Sequence, residues 1–143
     1  MQPIVCATQG GEASRRTQER AIDLAKKRGA ELIFLYVVDL SPVGPVDDSM
    51  VKALEDEMAW LGRALLGIAK GRARQQGLTA QAVVIHGPLQ QSIADYLRQV
   101  GASTLVIGTP RTSAASQTFT LEGIQRFAQS VRQETGVEVV IVT

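Results

Sequence analysis

LIFLYVV, residues 32–38, is an apolar run with no polar residue in it, the pattern of a strand whose two faces are both covered by helices. It belongs in the interior of a sheet. Upstream, Ala21, Leu24 and Ala25 fall at helical spacing, and Lys26, Lys27 and Arg28 follow where a helix dipole favours cations. Ser14 suits the N-cap of this helix, and Gly29 ends it. Before the helix, Ile4–Thr8 reads as a first strand.

Downstream, two prolines and a glycine within residues 41–45 interrupt the chain before a long helix, Asp47 to Gln76. Val51, Leu54, Met58, Leu61, Leu65 and Ile68 form one stripe on it, which predicts the face laid on the sheet. Gly62, Gly67 and Gly71 interrupt this helix at a propensity cost of roughly 1 kcal/mol each relative to alanine, which suggests close helix packing or local irregularity. A third strand follows at Ala80–Ile85, and Gly87-Pro88 opens a third helix with proline suited to its first position. Thr104–Ile107 is a fourth strand, Leu121–Thr135 a final helix with Leu121, Ile124, Ala128 and Val131 on one face, and Glu138–Val142 a last strand. Gly77, Gly101 and Gly136 end helices two, three and four as Gly29 ends the first.

The order βαβαβαβαβ implies an α/β fold: a doubly wound parallel five-stranded sheet in the order 3-2-1-4-5 with helices on both faces, because right-handed crossovers return each helix to the sheet. Ligands in such sheets bind beyond the carboxyl ends of the strands where the winding reverses. Here that point lies between strands one and four, at residues 8–12 and 108–112. With 143 residues and no internal repeat or linker, the chain reads as one domain, 1–143.

Fifteen basic and fourteen acidic residues give a formal charge of +1, so the chain carries no electrostatic footprint for nucleic acid or an acidic membrane surface. No stretch approaches the roughly 20 apolar residues needed to cross a bilayer. The one cysteine, Cys6, lies in the apolar run of strand one and reads as a small buried side chain, which fits a reducing cytoplasm.

VCATQGGEAS followed by AIDLAKKRGAELIFLYVVD, then HGPLQQSIADYLRQVGASTLVIGTP and VEVVIVT, together resemble the universal stress protein family along nearly the whole chain. The resemblance implies an adenine nucleotide alpha hydrolase-like fold. In the family's nucleotide-binding branch, strand four is followed by a glycine, two residues, a second glycine, nine residues, then glycine with serine or threonine. Small residues there let backbone amides approach phosphates, and the last pair opens a helix whose dipole receives their charge. This chain has Gly108 at the first place, but Arg111, Leu121 and Glu122 at the other three. Using Gly123 instead puts Ile124 where the hydroxyl should be.

Glu122 would supply an anion where phosphates otherwise sit, a repulsion on the order of 4 kcal/mol at 4 Å and an effective dielectric near 20. Gln9 stands where the family's aspartate would face ribose and metal. The resemblance therefore implies a non-enzymatic stress-response domain with no cofactor and no productive ATP site. The alternative is a weak AMP or ATP sensor using Thr8, Gln9, Val37, Ile107 and Gly108, with Arg111 on phosphate. Relatives dimerise through the last strand, so a homodimer through Val139, Val140, Ile141 and Val142 is expected; an uncovered apolar edge would otherwise invite further pairing.

Three weaker signals remain. Arg111 with Thr109, Thr112, Ser113, Ser116, Thr118 and Thr120 makes a basic, hydroxyl-rich loop, suited either to a phosphate or to plain solvation. Residues 9–14 faintly resemble the loop of ATP pyrophosphatase-type enzymes, without its first serine or its aspartate. His86 is the only histidine and reads as a strand-end residue; Trp60 lies off the main stripe of the long helix and packs either on a partner subunit or within the chain.

Overall fold

The computed structural model describes residues 2–8, 12–40, 47–108 and 121–142. Five parallel strands, β1 (Ile4–Ala7), β2 (Leu32–Val38), β3 (Gln81–His86), β4 (Thr104–Gly108) and β5 (Glu138–Val142), alternate with helices α1 (Glu12–Arg28), α2 (Asp48–Gln75), α3 (Leu89–Val100) and α4 (Leu121–Thr135). The sheet order is β3-β2-β1-β4-β5, as the alternation implies. β1 pairs with β2 from Ile4↔Leu32 to Ala7↔Leu35 and with β4 from Ile4↔Thr104 to Cys6↔Val106.

Every residue of β2 is buried, and its alternation divides it between two cores. Ile33, Leu35 and Val37 join Val5, Leu105 and Ile107 under α3 and α4. Leu32, Phe34, Tyr36 and Val38 join Ile4, Cys6 and Val106 under α1 and α2. Cys6 is fully buried, its thiol directed at the Thr17 carbonyl, and desolvation pushes its pKa far up. The terminating glycines carry φ of 62°, 78°, 66° and 70° at Gly29, Gly77, Gly101 and Gly136, the left-handed backbone that a side chain resists.

Two local details differ from the sequence expectation. α1 begins at Glu12, so Ser14 lies inside the helix and is not its cap. Pro88 is the N-cap of α3, not its first turn, and the helix starts at Leu89. The amide of Leu89 is met instead by a carboxylate from another element, Asp39 Oδ2 at 2.9 Å, just beyond β2.

The larger correction concerns α2. Its buried residues are Ala59, Gly62, Leu66, Ala69 and Ala73; of the expected stripe, Met58 and Leu65 are half-buried against the same core, while Leu61 and Ile68 are 48% and 54% exposed. The helix is apolar on two sides, and the side with the smaller residues faces the sheet because it permits closer approach. A Cβ on Gly62 would press into the buried Tyr36 ring, whereas one on Gly67 or Gly71 would meet nothing within 4 Å among the described residues.

Opposite stability effects follow. Gly62→Val is expected to destabilise the protein by at least about 2–3 kcal/mol through overpacking. Gly71→Ala is expected to stabilise the protomer by up to about 1 kcal/mol through helix propensity. Urea titrations followed by circular dichroism read both; equal and opposite signs swapped between the two positions would contradict this packing.

Candidate functional site

The winding reverses between β1 and β4: α1 follows β1 onto one face of the sheet and α4 belongs to the other. The carboxyl ends of these two strands therefore lie at the reversal point, the place such sheets offer a ligand. Thr8 closes β1, its amide donating to the Leu35 carbonyl at 2.9 Å. Its side chain is 1% exposed and turned toward α1, where Oγ1 accepts a hydrogen bond from Gln18 Nε2 at 3.2 Å. Arg72 of α2 in turn donates to Gln18 Oε1. This chain of bonds links two helices to the strand end and occupies the Thr8 hydroxyl.

Val37 and Ile107 belong to the core under α3 and α4, 0% and 6% exposed. Gly108 is half-buried at the end of β4, in register with Val142. The structure thus gathers Thr8, Ile107 and Gly108 around the reversal, with Val37 sealed beneath. Gln9, Arg111 and the hydroxyl-rich loop lie outside the described residues.

The opening of α4 is where a phosphate would meet this side of the sheet. The helix starts at Leu121 with Glu122 in its first turn, so the two residues that would be glycine and serine are the ones that begin the helix. Glu122 is exposed, which moves its repulsion toward the aqueous limit of about 1 kcal/mol at 4 Å.

A second concavity, about 200 Å³, lies elsewhere, lined by Val38, Asp39, Leu40, Glu55, His86, Gly87 and Pro88. Its Asp39 is the carboxylate that caps α3, so its acidity serves the helix end. His86 ends β3, exposed. Among the described residues no group of three histidine, cysteine, aspartate or glutamate side chains is placed to hold a metal ion. No helix among them is long and apolar enough to cross a membrane.

Sequence reasoning missed the partners Gln18, Arg72 and Asp39. The Asp39 cap had a signal, an aspartate at the end of a buried strand and a Gly-Pro helix start without a capping side chain. Gln18 and Arg72 had none, for 54 residues separate them.

Comparison with known proteins agrees with this architecture. The model of the universal stress protein family matches residues 1–143. The sensor protein KdpD of Mycobacterium tuberculosis is 29% identical over 140 residues, which are 98% of this chain and 14% of the sensor's length. The solved universal stress protein UspA from Lactobacillus plantarum superposes with a TM-score of 0.79 at 17% identity, over 99% of this chain and 97% of that one. A universal stress protein solved in complex with cAMP gives a TM-score of 0.70 at 24% identity, over 99% and 97%.

Proposed function

This chain belongs to the universal stress protein family, and on that premise we propose that it is a non-enzymatic regulatory domain of the stress response, a homodimer in the cytoplasm without productive ATP binding. The observation that carries this reading is the start of α4, where Leu121 and Glu122 occupy the first turn. Leucine and glutamate stand where the family's nucleotide-binding branch has glycine and a hydroxyl residue, and the glutamate gives that helix end its own anion. A reducing compartment suits the one buried cysteine.

A second reading has support from the neighbour in complex with cAMP. A nucleotide with a single phosphate demands less of the α4 end than ATP does. In that reading the crevice beside Thr8, Ile107 and Gly108 takes adenosine, with Arg111 on the phosphate.

The dimer rests on β5, an edge strand. The Glu138 amide donates to the Ser103 carbonyl at 3.1 Å, so alternation turns the backbone groups of residues 138, 140 and 142 toward β4 and those of Val139 and Ile141 outward. Arg132 Nη2 covers the Val139 carbonyl at 2.9 Å. Among the described residues nothing pairs with the outward amide and carbonyl of Ile141, the edge that a second β5 would fill.

Ile141→Pro removes an outward donor while leaving the β4–β5 ladder intact. Light scattering is expected to give a dimer mass for the parent and a monomer mass for this variant, with circular dichroism unchanged. A parent that is already monomeric at micromolar concentration contradicts the dimer.

A further inference from the structure

Helix α2 turns one apolar face to the sheet and a second to solvent. On the outer face, Trp60 is 67% exposed, Ile68 54%, Met50 53% and Leu61 48%, and among the described residues nothing covers them. Gly67 and Gly71 lie beside Trp60 on this face, where a side chain would meet nothing within 4 Å among the described residues. Their smallness serves no contact among the described residues, yet it leaves a hollow next to a protruding indole. A solvent-facing apolar stripe of this kind marks an interaction surface.

The charges along α2 are sorted by half. Leaving aside Glu55, which lines the Asp39 cavity, and Arg72, which donates to Gln18, residues 48–61 carry Asp48, Asp56 and Glu57 against Lys52, and residues 62–75 carry Arg63, Lys70 and Arg74 with no acid. Two such helices side by side in the same direction repel half against half; running antiparallel, each acidic half meets a basic one. An antiparallel pair with its two-fold axis near Ala64 also sets Trp60 of each copy over Gly67 and Gly71 of the other. Shape and charge select the same register.

We propose that the outer face of α2 is a self-association surface, on which a second copy of this chain packs its own α2 antiparallel about Ala64. The interface is isologous, as a two-fold contact requires. It is separate from the β5 edge, since α2 packs over β2 and β3 at the other side of the sheet.

Ala64 is exposed, and the one native cysteine is fully buried, so disulfide trapping reads the register directly. Ala64→Cys is expected to form a disulfide-linked dimer under mild oxidation. Ala53→Cys is expected not to, because the two copies of that position stand about 33 Å apart along the antiparallel pair at 1.5 Å per residue. The crosslink should persist when Ile141→Pro is added, which separates this surface from the sheet edge.

Trp60 is the only tryptophan, so the emission of the unmodified protein should shift to the red on dilution as the pair dissociates. Trapping that fails at Ala64, or proceeds equally at both positions, overturns the proposal. So does emission that ignores protein concentration but responds to phospholipid vesicles, which would assign the face to a membrane.

Discussion

Phe34→Ala is expected to lower the stability of the protein by about 3–5 kcal/mol, the cost of emptying a fully packed aromatic site. Phe34 is 0% exposed in the middle of β2, opposite Cys6 on one side and Ala82 on the other. Both neighbours are small, so little in the adjacent strands can collapse into the space. Against a total of about 5–15 kcal/mol for a domain, such a loss leaves a protein near its unfolding threshold. Urea unfolding followed by circular dichroism should show the midpoint falling at an unchanged slope. A loss under about 1 kcal/mol would mean that β2 is not the centre of the core.

Rebuilding the phosphate cradle should have the largest effect on binding. The triple variant Arg111→Gly, Leu121→Gly, Glu122→Ser restores the spacing of small residues and hydroxyl after Gly108 and removes the first-turn carboxylate of α4. Hydrogen bonds to charged groups contribute about 1.5–3 kcal/mol each. Two regained amide contacts and the loss of one repulsion together correspond to a gain in ATP affinity on the order of 100-fold or more. The single change Glu122→Ser should recover much less, about tenfold or below, because the side chain is solvated and its charge screened. Nucleotide titrations of the three proteins read this order, and a gain carried wholly by Glu122→Ser would shift the weight from shape to charge.

The sheet was legible because its signals are local. LIFLYVV at residues 32–38 announces a central strand, and each helix-ending glycine takes the positive φ that its position implied. The face of α2 was not legible, since a helix with aliphatic residues on two sides gives two plausible stripes. Only the Tyr36 ring, pressed against Gly62, decides which one the sheet receives. Long-range polar links were equally hidden. Arg28 joins Thr104 at 2.9 Å and Glu138 at 3.0 Å, tying the end of α1 to the starts of β4 and β5 across 76 and 110 residues.

At the candidate site the same division holds. The missing glycines and the acidic start of α4 are written in the spacing after Gly108, and α4 does begin at Leu121. That Thr8 spends its hydroxyl on Gln18 is a product of tertiary packing alone.

Isothermal titration of the unaltered protein with ATP tests the central claim most directly. A helix that opens on leucine and glutamate should yield no saturable heat at micromolar protein, with any affinity weaker than about 100 µM, equivalent to roughly −5.5 kcal/mol. A stoichiometric isotherm with a low-micromolar dissociation constant would contradict it.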